Sequence, residues 1–250
     1  MTVEPPLDAA GLPKRFVAGA DGCRAGWFVV LRSLESGEVR CGSVPDFAAL
    51  LQLCEGAAAL GIDMPIGLME TVEKGGRPVD RLVRERLKPY RSSSVFSPPC
   101  RPALVANSYA EACALTRARS AAETALTQQA YGLFPKLREV DALMTPERQK
   151  TVREVHPELC FALLNGDRPL QISKQEPIGQ DLRINLLRAA GVDVTSKSVK
   201  RLAKAGVGRV DVLDAYVVCW TAARIARGQA EHLGGGLDVD AHGLRMELWV

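Results

Sequence analysis

Residues 16–27 read Phe16-Val-Ala-Gly-Ala-Asp21-Gly-Cys-Arg-Ala-Gly-Trp27, an apolar run that ends in a glycine-flanked aspartate. A second run, Ala57-Ala-Ala-Leu-Gly-Ile-Asp63-Met-Pro65, ends in the same way. A buried carboxylate is costly unless it is paired or binds a metal, because it loses its hydration. Carboxylates at the ends of two apolar elements therefore indicate a metal site.

Short runs of β-forming residues continue outward from this first stretch. Trp27-Phe-Val-Val-Leu31 and Val39-Arg-Cys-Gly-Ser-Val44 follow it at turn-sized gaps, so residues 16–44 predict three antiparallel strands. Asp46 is a predicted N-cap of a helix that presents Phe47 and Leu50 on one face. Residues 57–62 predict a buried strand that ends before Pro65, since proline cannot continue a central strand.

The remainder of the chain is mainly helical in pattern. No strand is predicted between about residues 75 and 151. Residues 152–156 predict a short strand, and Pro157 is predicted to occupy the first position of the helix that follows. The elements predicted beyond it are two helices within residues 180–206 with breaks at Gly191 and Gly206, a long helix over 210–227, a glycine-rich loop over 228–243 and an edge strand over 244–250.

This order of elements indicates a fold class. Three strands, a helix and a strand are followed by a helical insertion, another strand and a terminal helix, which is the order of an α/β, ribonuclease H-like domain with a mixed sheet flanked by helices. We expect one such domain over residues 14–250, a helical insertion at 75–151 and a flexible tail at 1–13. In this fold, acidic residues lie on the first strand, at the fourth strand and on the last helix.

Composition narrows the class of protein. The 250 residues are 47% hydrophobic and 24% charged, which argues against disorder and coiled coil, and no apolar run approaches a membrane span. Seven cysteines without a CxxC pair predict buried thiols in a reducing, cytoplasmic environment. The net charge of +3 permits an anionic partner without requiring one. The oligomeric state is not predicted, and a homodimer is one possibility.

Four aspartates are predicted to be both catalytic and metal-binding: Asp21, Asp63, Asp211 and Asp214. Mg²⁺ and Mn²⁺ prefer oxygen ligands, and two-metal phosphodiester hydrolysis needs carboxylates that converge. The spacing of the last two places them on one helical face. Each aspartate also has a structural alternative: a turn residue at 21, a cap at 63 and a first-turn helix acid at 211. We favour the metal site because these alternatives would all have to hold together.

Further candidates accompany the aspartates. Glu154 is predicted to be catalytic, as a further ligand or general base, although a surface strand glutamate is the alternative. His156 could shuttle protons near neutral pH or serve as a helix cap. Cationic side chains could clamp phosphates, the alternative being solvated helix faces. The predicted substrate-binding residues are Arg81, Arg84, Lys136, His156, Lys174 and Arg183.

At these residues the chain resembles the domain of unknown function 429 family of predicted nucleases with a ribonuclease H-like fold. The matching segments are residues 19–27, 61–68, 94–96, 135–140, 154–158 and 211–215. The Asp211-x-x-Asp214 pair is also similar to that of Holliday-junction resolvases, although Asp63 stands where those enzymes typically carry glutamate and they lack the long insertion. The resemblance implies nuclease activity.

These patterns lead to one predicted function and two alternatives. The prediction is a Mg²⁺- or Mn²⁺-dependent nuclease or phosphodiesterase whose partner is nucleic acid or another phosphodiester. The first alternative is a non-catalytic nucleic-acid or regulatory binding module on the same fold. The second is an actin-like, ATP-dependent phosphotransferase, which also uses an aspartate-glycine turn after its first strand, as in Asp21-Gly22.

Overall fold

The computed structural model describes residues 15–120, 126–203 and 207–250, so the predicted tail at 1–13 and the break at Gly206 lie outside the described residues. Its central feature is a five-stranded mixed sheet with the order β3-β2-β1-β4-β5. The strands are β1 (Phe16–Cys23), β2 (Gly26–Ser33), β3 (Val39–Val44), β4 (Leu60–Ile62) and β5 (Val152–Glu154). The first three are antiparallel neighbours, and β4 runs parallel to both β1 and β5. This topology confirms the α/β prediction and is consistent with a ribonuclease H-like fold.

Helices flank this sheet on both faces. In the described part of the chain they are α1 (Phe47–Leu53), α2 (Pro78–Arg86), α3 (Tyr109–Arg117), α4 (Gln128–Gly132), α5 (Phe134–Leu143), α6 (Pro157–Leu164), α7 (Pro177–Ala189), α8 (Ser196–Ala203) and α9 (Arg209–Ala226), with short 3-10 turns at Ser92–Ser94, Arg101–Val105 and Arg148–Lys150. Helices α2 to α5 lie between β4 and β5 in the chain. None of the described helices is long and apolar enough to cross a membrane.

Local signals account for several helix starts. Asp46 caps α1 because its side chain accepts a hydrogen bond of 2.8 Å from the Ala49 amide, as predicted. Pro157 occupies the first turn of α6, where its missing N–H costs nothing, and His156 is the N-cap. These caps explain why the helix starts could be predicted from the sequence.

Alternation along the strands builds two hydrophobic clusters, one on each face of the sheet. Val17 and Phe28 contribute to the cluster that includes α9, whereas Ala18 and Val29 contribute to the cluster on the opposite face, with α1 and α5. The centre of the sheet is therefore buried on both sides, which is why its strands are nearly continuous apolar runs.

The prediction of a loop over residues 228–243 is wrong. Residues His232–Val239 form strand β6, which pairs antiparallel with β7 (Arg245–Trp249) in a separate two-stranded sheet. Glycine lowers strand propensity, but Gly234 and Gly235 adopt positive φ where the register shifts, so the glycines form an irregularity within the strand. The predicted final strand is confirmed in this ribbon.

Candidate metal centre

Two of the predicted ligands are brought together by the pairing of β1 with β4. Gly19 lies opposite Gly61 and Ala20 opposite Ile62, so the two Gly-x-Asp segments run in register. The Asp63 amide continues the ladder by donating a hydrogen bond of 3.0 Å to the Ala20 carbonyl. Because the strands are parallel, both aspartates lie at the same edge of the sheet.

Helix α9 delivers the third carboxylate, and glycine makes its approach possible. A Cβ atom on Gly19 would lie 2.1 Å from the Cys219 backbone nitrogen, and one on Gly61 would lie 2.8 Å from Val218 Cγ1. The backbone of the helix therefore rests directly on the sheet at Gly19, and the Val218 side chain packs against Gly61. This close packing places Asp214, in the second turn of α9, beside the ends of β1 and β4.

The side chains of Asp21, Asp63 and Asp214 converge. One carboxylate oxygen from each lies within 4.8 Å of the other two. Asp21 and Asp214 are buried, and Asp63 is half-buried. The Asp214 Oδ1 atom is buried and has no hydrogen-bond partner, which is unusual for a buried acceptor. A set of oxygen donors with one unpartnered acceptor fits a hard divalent cation such as Mg²⁺ or Mn²⁺.

The concentration of negative charge changes the protonation of these groups. Burial, reinforced by Asp63 and Asp214, raises the pKa of the Asp21 carboxyl well above its usual range. Burial and the neighbouring Asp214 carboxylate raise the pKa of Asp63 to about 8. A cation at this position would offset both the desolvation and the mutual repulsion, so the electrostatics also fit a metal site.

Asp211 lies in the same cavity but outside this group of three. Its side chain accepts a hydrogen bond of 3.0 Å from the Gly208 amide and so caps α9 at its N-terminus. This is the helix-start role weighed above as the alternative. The metal-binding role of Asp211 stays a prediction.

Lys174 forms an ion pair with one member of the triad. Its Nζ lies 2.7 Å from Asp214 Oδ2 in a half-buried ion pair. Burial disfavours the charged ammonium, but the attraction of Asp214 and Asp63 outweighs it and raises the pKa of Lys174. The predicted substrate-binding lysine therefore belongs to the charge balance of the centre itself.

Glu154 is engaged elsewhere. Its carboxylate is buried, pairs with Arg77 over a 2.8 Å contact and accepts a 2.7 Å hydrogen bond from the Ile66 amide. Arg77 also binds Asp80, so one arginine neutralises two buried acids. Burial raises the pKa of Glu154 although Arg77 opposes the shift. The structure thus places Glu154 in a buried ion pair that supports the turn after Asp63, and not among the converging ligands.

His156 lines the cavity as a helix cap. Its Nδ1 accepts a hydrogen bond from the Leu159 amide at 3.4 Å, and its Nε2 lies 3.5 Å from the Ser94 carbonyl. Burial, together with the charge of Lys174, lowers the pKa of His156 to about 4. This shift favours the neutral imidazole, and the proton-shuttle role of His156 stays a prediction.

The other predicted phosphate-binding residues fall into two groups. Arg81 and Arg84 lie away from the cavity and bind Glu73 and the Val95 carbonyl, respectively. Arg183 is fully buried against Glu158.

Lys136, by contrast, lines the cavity. Its Nζ lies 3.1 Å from Glu139 Oε1 and 5.3 Å from the centre of the Trp27 ring. Glu139 in turn accepts hydrogen bonds from Trp27 Nε1 and the Phe47 amide. These contacts hold the ammonium group of Lys136 in place on the cavity wall.

The triad opens into a cavity of about 1120 Å³ whose lining includes cationic residues that sequence analysis missed. Arg24 lies in the turn after Asp21, and Arg209 begins α9. The buried Nε of Arg209 has no hydrogen-bond partner. The only signal for either residue in the sequence is its closeness to a predicted aspartate, three and two residues away, respectively.

Comparison with known proteins identifies the family. Neither the search of curated proteins nor the search of solved structures returned a match. The model of the family described as protein of unknown function (DUF429) matches residues 19–238, a span that includes the three converging aspartates. Because this match covers well over half of the chain, the protein belongs to the DUF429 family.

Proposed function

We propose that the protein is a divalent-metal-dependent phosphodiester hydrolase of the nuclease type. The observation that carries the proposal is the convergence of Asp21, Asp63 and Asp214 within 4.8 Å of one another, with Asp214 Oδ1 unpartnered. Carboxylates assembled from two strand ends and a helix, at the edge of a mixed sheet, are suited to binding Mg²⁺ or Mn²⁺.

The three aspartates would hold the ion. When bound, such an ion supplies Lewis-acid activation of the phosphodiester and of the attacking water. The carboxylates would fix the position of the ion, because Asp21 and Asp63 are tied to the β1–β4 ladder and Asp214 to α9. The burial of Asp21 and Asp214 limits access of bulk water and strengthens the local electrostatic interactions.

Cationic residues around the cavity support an anionic substrate. Lys136 is held by Glu139 and Trp27, so its ammonium group is oriented before any ligand arrives. Arg209 and Arg24 line the same space. Lysine and arginine are the side chains that most often contact phosphate oxygens in nucleic acids.

The proposal is tested by assaying purified protein with Mn²⁺ or EDTA on single- and double-stranded DNA, RNA and bis(p-nitrophenyl) phosphate. We expect Mn²⁺-dependent cleavage that falls at least about 100-fold in Asp21→Asn and Asp63→Asn. Asp46→Asn is the matched control, because Asp46 caps a helix outside the cavity and asparagine caps equally well.

The possible results separate the functions considered above. Cleavage that Asp21→Asn leaves intact would contradict the proposal. Mn²⁺ binding without cleavage of any phosphodiester would instead favour the non-catalytic binding module. Hydrolysis or transfer of the γ-phosphate of ATP, without phosphodiester cleavage, would favour the phosphotransferase.

A further inference from the structure

We propose that Lys174 is a permanent cationic member of the centre, so that the site takes one divalent ion beside a fixed ammonium group and not two divalent ions. The inference rests on the metal-binding part of the proposed function and goes beyond it, because it specifies how the positive charge is divided. It departs from the two-metal arrangement that the four aspartates suggested.

The contact with Asp214 is the first support. Lys174 Nζ lies 2.7 Å from Oδ2, while Oδ1 of the same carboxylate is buried and unpartnered. The ammonium group thus occupies one oxygen of the carboxylate and leaves the other for an ion. Lysine binds as a compact point charge with three donors, which suits a position shared with a metal ligand.

The backbone around Lys174 is held by a hydrogen bond and by close packing, so the lysine side chain starts from a defined position. Gln180 donates from Nε2 to the Lys174 carbonyl at 3.1 Å. A Cβ atom on Gly179 would lie 2.0 Å from the Ser173 carbonyl oxygen, so the start of α7 packs directly on this loop. The lysine is therefore presented from a loop that is pinned to a helix.

A buried ion pair between Arg183 and Glu158 also holds this loop. Arg183 donates from Nη1 to the Ile172 carbonyl at 3.3 Å and from Nη2 to Glu158 at 2.7 and 2.9 Å. Both side chains are almost fully excluded from solvent. Arg183 and Glu158 thus serve to hold the loop that carries Lys174, which explains why a predicted phosphate-binding arginine has no access to the cavity.

A second unpartnered acceptor accompanies the lysine. Gln180 is 7% exposed and lines the cavity, and its Oε1 atom is buried without a hydrogen-bond partner. A buried amide oxygen normally has a partner, so this atom is available to a ligand or to its water. Asp214 and Gln180, which line the same cavity as Lys174, thus each carry one unpartnered oxygen.

Charge balance favours a single ion. Once fully ionised, the three converging carboxylates carry three negative charges, which one divalent ion and one ammonium group would neutralise together. A second divalent ion would leave two excess positive charges on this group unless further carboxylates joined it. Glu154 is paired with Arg77, and Asp211 accepts the hydrogen bond that caps α9.

The test is a Mn²⁺ titration of the full chain followed by electron paramagnetic resonance, which counts free and bound ions without requiring activity. We expect one bound Mn²⁺ per wild-type chain. Lys174→Met and Lys174→Gln should each bind Mn²⁺ at least about tenfold more tightly, because a competing positive charge has been removed. Lys136→Met is the matched control, since Lys136 lines the same cavity but pairs with Glu139, and its affinity should change less than threefold.

The alternative results are distinct. Two Mn²⁺ ions per wild-type chain would overturn the inference and leave the proposed function standing. An unchanged or weakened affinity in both Lys174 variants, with melting curves that show them folded, would overturn it as well. Absence of Mn²⁺ binding to the wild-type protein and to every variant would overturn the proposed function, and the inference with it.

Discussion

Gly19 of β1 and Gly61 of β4 lie opposite each other in the parallel strand pair, and each stands two residues before an aspartate of the centre. Residues two apart in a strand share a face, so each glycine and its aspartate point to the side where α9 packs. The missing side chains admit the helix, and the helix carries Asp214 to the other two carboxylates. In each Gly-x-Asp segment, the glycine thus allows α9 to pack on the sheet and the aspartate contributes a carboxylate to the site.

Gly19→Ala is expected to disrupt this arrangement. Its Cβ would meet backbone atoms of α9, at 2.1 Å from the Cys219 nitrogen and 2.7 Å from the Ala215 oxygen, and no side chain can move aside to make room. We expect the free energy of unfolding to fall by about 3 kcal/mol or more, at the upper end for overpacked cores. Urea denaturation measures the loss, and Mn²⁺ affinity should fall with it.

Gly61→Ala should lower the free energy of unfolding less than Gly19→Ala does, because its Cβ meets mainly the side chain of Val218 at 2.8 Å. The double variant Gly61→Ala/Val218→Ala should therefore recover part of the stability, whereas Val218→Ala should not rescue Gly19→Ala. Gly236→Ala is the control, since nothing lies within 4 Å of its Cβ position. Equal losses for Gly19→Ala and Gly236→Ala would contradict the packing argument.

Asp21→Asn and Asp214→Asn should change the stability of the metal-free protein in opposite directions. Asp21 is buried among like charges, so we expect the neutral amide to raise the free energy of unfolding in EDTA by about 1–2 kcal/mol. Asp214→Asn removes the partner of Lys174, so it should lower the free energy of unfolding by about 1–3 kcal/mol. This is less than for a fully buried pair, because the lysine side chain is 30% exposed.

Both variants should lose Mn²⁺ binding, which calorimetry would measure beside thermal unfolding in EDTA. If both variants changed the free energy of unfolding in the same direction, the idea that repulsion at Asp21 destabilises the metal-free protein would be contradicted. The comparison needs no assay of catalysis, so it stands even if the substrate is unknown.

Mn²⁺ affinity should increase with pH. Asp63 has a pKa of about 8 in the folded protein, above its usual value of 3.8, so below pH 8 the ion must displace its proton. We expect the apparent affinity to rise by about tenfold per pH unit between pH 6 and 8 for each proton released. The same shift has the opposite effect on the metal-free protein: since the folded state retains a proton that the unfolded state loses, stability decreases from about pH 4 to 8.

Mn²⁺ titrations at pH 6, 7 and 8 would measure how the affinity depends on pH, and thermal melts in EDTA at the same pH values would measure how the stability does. A Mn²⁺ affinity that does not vary over this range would contradict the raised pKa. Ionic strength should be constant across the series, since the surface charges are screened by salt.

Local patterns were sufficient for much of the fold. The strands of the sheet and α1 could be predicted because alternation, a capping aspartate and proline act over a few residues. The convergence of Asp21, Asp63 and Asp214 could be anticipated as well, because the order of elements places the ends of two strands and the last helix together.

The parts that sequence analysis missed depend on distant partners. Glu154 binds Arg77, which lies 77 residues earlier, and no local pattern distinguishes such a pair from a free ligand. His232–Val239 becomes a strand only because β7 pairs with it, which overrides the low strand propensity of glycine. The electrostatic role of Lys174 likewise follows from a contact across 40 residues with α9.

Glu154→Gln distinguishes a structural glutamate from a metal ligand. The carboxylate binds Arg77 and the Ile66 amide, so its loss should lower the free energy of unfolding by about 1–3 kcal/mol. Arg77→Met should cost more, about 3–5 kcal/mol, because Glu154 and Asp80 would both be left buried without a cation.

Mn²⁺ affinity provides a second measurement for Glu154→Gln. Because Glu154 supports the turn that follows Asp63 without joining the converging oxygens, Glu154→Gln should keep its affinity within about threefold of the wild type at a temperature where both are folded. A loss of Mn²⁺ affinity greater than tenfold in Glu154→Gln, with little loss of stability, would assign Glu154 to the metal after all. Asp63→Asn, measured in parallel, shows the size of effect that removal of a true ligand produces.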